Sequence, residues 1–215
     1  MSPNSVPAAE AEYVAPPAVS ERRASSVSKL FKRLSTPIGP TQEKRLTNSD
    51  ILKIIDKVKT NDPSLIDIDL RDCRILTASH SIVLAEALAH NTVVKTLNLK
   101  NTRMNSQFAV KLGEALQKNT SLLELNLERN AIGPAGIKAI ALALGENSTL
   151  AVVKLANQDL SAGADAEQNL AKALDKNTRI VKFTLTIRDS GSRGVIDRAI
   201  ARNNEILRKQ RLVQG

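Results

Sequence analysis

A nine-residue run that opens with Asp or Asn recurs five times in this chain at a near-constant interval. The copies are Asp62-Pro-Ser-Leu-Ile-Asp-Ile-Asp-Leu70, Asn91-Thr-Val-Val-Lys-Thr-Leu-Asn-Leu99, Asn119-Thr-Ser-Leu-Leu-Glu-Leu-Asn-Leu127, Asn147-Ser-Thr-Leu-Ala-Val-Val-Lys-Leu155 and Asn177-Thr-Arg-Ile-Val-Lys-Phe-Thr-Leu185. Their first residues lie 29, 28, 28 and 30 positions apart. A fixed period of about 28 residues means one small unit stacked on copies of itself, because a single unit cannot bury its own apolar face. Stacks of this kind usually hold a partner on an extended surface; a catalytic pocket is rare in them.

Counted from the opening residue, offsets three, six and eight are apolar in every copy: Leu65, Ile68, Leu70; Val94, Leu97, Leu99; Leu122, Leu125, Leu127; Leu150, Val153, Leu155; Ile180, Phe183, Leu185. The alternation at six and eight is strand period. With offset eleven (Cys73, Thr102, Asn130, Gln158, Arg188) it follows the leucine-rich-repeat pattern L-x-x-L-x-L-x-x-[NC], strictly only at Cys73 and Asn130. The second half of each unit carries an i, i+4 apolar pair: Leu84 and Leu88, Leu112 and Leu116, Ile140 and Leu144, Leu170 and Leu174, Ile196 and Ile200. That is helix spacing. An alanine precedes the second member each time (Ala87, Ala115, Ala143, Ala173, Ala199), where a small side chain lets neighbouring units close up. The predicted fold is therefore α/β: a leucine-rich-repeat solenoid of about five strand-loop-helix units of 28–30 residues on a parallel sheet.

The opening Asn stands where a helix must stop, and Asn tolerates the left-handed conformation common there. On that ground Asn91, Asn119, Asn147 and Asn177 are structural, and the sequons Asn119-Thr-Ser121 and Asn147-Ser-Thr149 are accidental. The ends of a stack need lids. Thr47-Asn-Ser-Asp50 reads as a capping box before Ile51, Leu52, Ile54, Ile55 and Val58, so residues 50–60 form an N-terminal helical cap. Asn203-Asn-Glu-Ile-Leu-Arg-Lys-Gln-Arg211 takes the place of a sixth strand and closes the other end as a C-terminal helix. The repeat domain spans residues 48–211, with 212–215 a terminal tail.

Residues 1–47 are rich in Pro, Ser and Ala without sustained periodicity, the composition of a disordered, basic tail. Within it Val27, Leu30, Phe31 and Leu34 share one helical face among Lys29, Lys32 and Arg33, a short amphipathic segment over 27–34 suited to a partner groove or weak contact with an anionic membrane. Arg22-Arg-Ala-Ser25 and Lys32-Arg-Leu-Ser35 match a basophilic kinase pattern, which makes Ser25 and Ser35 candidate phosphorylation sites. The net charge is +9; the tail, with seven basic and four acidic residues, holds +3 of it. Residues 188–211 hold seven basic and three acidic residues, +4, which points to an acidic partner surface at that end.

Little in the chain suggests chemistry. There is no Gly-rich phosphate loop, metal-spaced cluster or nucleophile–base pair, so neither catalysis nor a cofactor is expected. His80 and His90 read as ordinary helix-end residues, and Asp67 and Asp69 as solvated residues of the outer sheet face. Tyr13, Phe31, Phe108 and Phe183 give no stacking platform, which argues against nucleic acid. The lone Cys73 sits at an inward repeat position, and one cysteine without a signal-peptide core fits a reducing, cytoplasmic compartment and a monomer. The outward strand positions (Thr96, Asn98, Glu124, Asn126, Val152 and Lys154 among them) lack an aromatic anchor, whereas the strand-to-helix loops are rich in arginine and amides.

Beyond the general repeat, Lys57-Val-Lys-Thr-Asn-Asp-Pro63, Asn157-Gln158, Arg179-Ile-Val-Lys-Phe183, Gly191-Ser-Arg193, the Asn203–Arg211 run and the lengthened fourth unit resemble the tropomodulin and leiomodin family. The resemblance covers residues 50–211. It implies a cytoskeletal, actin-binding module that caps filament pointed ends or binds actin monomers. The implied contacts are Arg74, Arg103, Arg129, Asn130, Asn157, Gln158, Arg188 and Arg193 on the loops, with Arg202, Arg208, Lys209 and Arg211 on the terminal helix. Members of that family carry a long N-terminal half with tropomyosin-binding helices and a first actin-binding helix. Here 47 residues stand in its place and only Val27–Leu34 resembles a remnant, so tropomyosin binding is not expected and capping should be weaker. The alternative is a solenoid scaffold or regulator with a non-actin partner.

Overall fold

The computed structural model describes residues 46–213; the amphipathic segment 27–34, Ser25 and Ser35 lie outside them. In chain order the elements are α1 (Asn48–Lys59), β1 (Asp67–Asp69), α2 (Ala78–His90), β2 (Thr96–Asn98), α3 (Ser106–Lys118), β3 (Glu124–Asn126), α4 (Pro134–Glu146), β4 (Val152–Lys154), α5 (Ala164–Lys176), β5 (Lys182–Thr184) and α6 (Ser190–Val213). The strands form one parallel sheet in the order β1-β2-β3-β4-β5. Register is kept throughout, so Ile68, Leu97, Leu125, Val153 and Phe183 stack in a single column. That column, the leucines at offsets three and eight and the helical pairs make one continuous core. The fold class read from the repeat is the fold observed.

Small residues set the helix spacing. A Cβ on Gly113 would lie 2.9 Å from the Ala139 carbonyl oxygen, and one on Gly136 2.8 Å from the Ala109 methyl, so α3 and α4 meet almost backbone to backbone. Of the five alanines that precede the second member of the helical pair, Ala115, Ala143, Ala173 and Ala199 are buried, and Ala87, in the first unit, is half buried. At the N-terminal end the capping box forms: Thr47 Oγ1 accepts from the Asp50 amide at 3.3 Å while the Asp50 carboxylate accepts from the Thr47 amide at 2.9 Å. Helix α1 lays Ile51, Ile55 and Val58 over the core; Leu52 turns away and stays half exposed.

The opening asparagines are structural, but not for the conformational reason. Asn91, Asn119, Asn147 and Asn177 are extended, with φ between −70° and −78°, and none is left-handed. Their side chains form a buried hydrogen-bond ladder instead. Asn119 Nδ2 donates to the Leu88 and Asn91 carbonyls of the preceding unit at 2.6 and 3.0 Å, and its Oδ1 accepts from the Ser121 and Leu122 amides at 3.0 and 2.8 Å. Asn147 and Asn177 repeat this pattern one unit on. Each amide thus satisfies orphan carbonyls at a helix end and ties two units together. With Asn119 at 3% and Asn147 at 4% exposure, neither sequon presents its amide to solvent.

The C-terminal helix forms as expected and is longer than the Asn203–Arg211 run: α6 runs unbroken from Ser190 to Val213. Asn203 Nδ2 donates to the Asn177 and Ile180 carbonyls, both at 2.8 Å, so a helical residue ends the ladder. The outer sheet face is less wet than its alternation suggests. Glu124, Asn126 and Val152 are buried, because strands about 4.8 Å apart let flanking side chains cover the middle rows. There Lys154 donates to Glu124 at 2.7 Å, leaving that centre without an unmatched charge.

Candidate functional site

The strand-to-helix loops all leave the same edge of the sheet, since the strands are parallel and in register. Each of the first four turns on one left-handed residue at the same repeat position: Asp72 (φ 58°), Asn101 (54°), Arg129 (55°) and Asn157 (60°). A left-handed residue there redirects the chain while its own amide still reaches the next unit. Asp72 donates to the Lys100 carbonyl, Asn101 to that of Glu128 and Arg129 to that of Ala156 at 2.9 to 3.1 Å. Arg103 is left-handed too, at φ 61°. Asn and Asp adopt this region readily, but for an arginine it costs about 1–2 kcal/mol. Two such arginines on one edge are the backbone strain that tends to gather where a partner binds.

The side chains divide cleanly. Arg74, Arg103, Arg129, Asn157 and Arg188 are exposed. Among the described residues no hydrogen bond or ion pair engages the guanidinium of Arg74, Arg103, Arg129 or Arg188. Asn130 and Gln158 belong elsewhere. Asn130 is 1% exposed; its Oδ1 accepts from the Thr102 and Met104 amides, both at 3.0 Å, and its Nδ2 donates to the Leu99 and Leu127 carbonyls, both at 2.9 Å. Gln158 is half buried, accepting from the Ile132 amide and donating to the Leu127 and Leu155 carbonyls. Both amides fix the loops from inside, with Asn130 fully covered and Gln158 half covered.

The basic C-terminal end is more occupied than its charge suggests. The Arg193 guanidinium donates to the Ile187 carbonyl. Arg202 donates to the Asp175 carbonyl at 2.8 Å and the Asn177 carbonyl at 3.0 Å, covering the end of α5. Arg208 holds Glu205 by two bonds of 2.8 Å, and Lys209 lies 3.9 Å from the same carboxylate. The Arg208 hydrogen bond lowers the Glu205 pKa and in turn raises that of Arg208. His80 has an assigned task as well: its Nδ1 accepts from the Thr77 amide, completing a capping box on α2. Among the described residues there is no cluster of three metal-ligating side chains and no helix long and apolar enough to cross a membrane.

A family model described as the TMOD/LMOD leucine-rich domain matches residues 47–206, which takes in both the ladder and the loop edge. The chain belongs to the tropomodulin and leiomodin family. Human leiomodin-1 is 32% identical over 185 residues, covering 82% of this chain and 31% of that protein. Rat leiomodin-1 is 34% identical over 158 residues, covering 74% of this chain and 27% of that protein. The chain thus spans about a third of the length of these relatives. Among solved structures, leiomodin-1 actin-binding site 2 superposes with a TM-score of 0.72 at 31% identity, covering 79% of this chain and 96% of that one. The Caenorhabditis elegans tropomodulin C-terminal domain superposes with a TM-score of 0.72 at 21% identity, covering 76% of this chain and 98% of that one, a likeness of fold.

One residue of this tropomodulin–leiomodin chain escaped the reading of its sequence. Glu167 is 1% exposed on α5, and its Oε2 accepts from the amides of Arg188 and Asp189 at 3.0 and 2.8 Å. The signal was available: ten residues before each following asparagine stand Ser81, Ala109, Ile137 and then this carboxylate.

Proposed function

We propose that this chain is a non-enzymatic actin-binding module of the cytoskeleton that caps pointed ends or holds actin monomers through its strand-to-helix loop edge. The observation that carries this reading is the set of unengaged guanidiniums at Arg74, Arg103, Arg129 and Arg188, two of which, Arg103 and Arg129, are held on left-handed backbone. Family membership and the likeness to leiomodin-1 actin-binding site 2 support actin as that partner. Exposed arginines on a rigid edge suit an acidic protein surface, where they steer encounter and form charge-assisted bonds on docking. Asn157 lies on the same edge, and the exposed Arg208, Lys209 and Arg211 at the end of α6 form a second, weaker contact. No tropomyosin contact is part of this proposal.

The test is pyrene–actin elongation from filaments blocked at their barbed ends. Slowed pointed-end growth at micromolar protein identifies a cap, and monomer sequestration without slowed growth identifies a monomer binder. Growth and monomer pool both unchanged would transfer the assignment to a scaffold with a non-actin partner.

A further inference from the structure

The fifth loop is built differently from the other four. The residue at the turning position is Ile187, a β-branched side chain that is buried and is not left-handed. The next position, filled by the inward amides of Asn130 and Gln158 in the two preceding units, holds Arg188 with its side chain in solvent. The loop therefore lacks both devices that hold its neighbours, and the amides of Arg188 and Asp189 need an acceptor from outside it. Glu167 is that acceptor, reaching up from α5. Packing alone does not call for an acid there, since Ser81, Ala109 and Ile137 fill the corresponding places fully buried. A carboxylate in a core is costly unless hydrogen bonds replace its water, and these two amides do so. The turn is also held at its far side: Asp189 caps α6 by accepting from the Ser192 amide at 2.7 Å, and Arg193 donates to the Ile187 carbonyl.

The geometry points to Glu167 as a positioning residue: a buried carboxylate that shapes the fifth loop so that Arg188 joins the cationic edge presented by Arg74, Arg103 and Arg129. This rests on the actin-binding reading given above, and one arm of its test is independent of that reading. In the full chain without partner, Glu167→Ala should raise hydrogen exchange of the Arg188 and Asp189 amides by about tenfold, while Glu167→Gln, which keeps an oxygen acceptor, should leave them near wild type. With actin, Glu167→Ala and Arg188→Ala should each weaken binding by about three- to tenfold, Glu167→Gln should restore it, and the Glu167→Ala/Arg188→Ala double variant should bind no worse than either single. Unchanged exchange at Arg188 and Asp189 in Glu167→Ala would overturn the inference. So would wild-type affinity in a folded Glu167→Ala or Arg188→Ala variant, or losses that simply add in the double. Should Glu167→Ala fail to fold, a folded Glu167→Gln that binds as poorly as Arg188→Ala overturns it equally, and one that binds like wild type supports it. If the wild-type chain ignores actin, the functional reading fails, and the exchange arm still decides what Glu167 does to the loop.

Discussion

The two edges of the sheet use the same polar residue types for opposite ends. On the helix-to-strand edge, Asn91, Asn119, Asn147 and Asn177 are buried with both donor and acceptor engaged, and each links its unit to the one before. On the strand-to-helix edge the chain turns through left-handed residues; Asn101 donates to the Asp72 carboxylate at 2.6 Å, and Arg103, Arg129 and Asn157 point to solvent. One edge is saturated; the other, held from inside by Asn130 and Gln158, leaves its arginines open. A polar residue in a repeat therefore gains its meaning from the edge it occupies, and composition alone does not distinguish the two.

The largest effect should come from the saturated edge. Asn119→Ala leaves the buried Ser121 and Leu122 amides without an acceptor and takes one of two donors from each of the Leu88 and Asn91 carbonyls, and should lower unfolding free energy by about 2–4 kcal/mol in urea titration. The folded fraction should bind actin as before; a stable variant that loses binding would erase the distinction between the edges. Next, Arg103→Glu with Arg129→Glu should reduce actin affinity by about tenfold or more with the melting temperature hardly moved, as read by sedimentation and by thermal melting. Arg129→Gly sharpens the contrast further: relief of the left-handed arginine should raise stability by about 1 kcal/mol while binding weakens. If Arg129→Gly is not stabilising, the strain argument fails at that residue.

Smaller still is the terminal helix. Reversing Arg208, Lys209 and Arg211 to Glu should weaken actin binding by only a few-fold, since part of that charge is already engaged by Glu205. A loss larger than that of the loop variants would move the principal contact to α6. The least effect concerns Asp62, at the foot of the first unit. Hydrogen bonds from Ser64, with a further one from Lys57, hold its pKa down to about 2, so it contributes stability above its unfolded value. That contribution should fade as pH falls from about 4 through 2, and Asp62→Asn should remove the fading from an acid titration followed by circular dichroism.

Much of the fold was legible because aliphatic spacing is imposed by geometry alone. Offsets six and eight had to be strand, and the i, i+4 pairs had to be helix. Thr47 with Asp50 also announced its capping box. What escaped depended on pairing across units, which no single unit displays. The conformational preference of Asn suggested a left-handed helix end, but orphan carbonyls one unit back offered more, and the backbone stayed extended. Asn130 and Gln158 looked like loop polarity until the inward turn of their position gave them amides to hold. Glu124 and Val152 alternate correctly yet are covered by rows from adjacent strands. The cationic surplus after residue 188 was read as available, whereas Arg202 spends its guanidinium on the carbonyls that end α5.

Asn203 carries a consequence for how such a chain can lengthen. It receives the ladder's last carbonyls through its side chain, but it stands inside a helix, where its own main-chain oxygen is turned along the axis toward the following residues. Nothing is handed on, so a copy appended after it would find no docking oxygen of the kind that Asn91, Asn119, Asn147 and Asn177 offer their successors. Growth of this architecture by duplication has to happen upstream of Ser190, and the last helix acts as a stop codon written in hydrogen bonds.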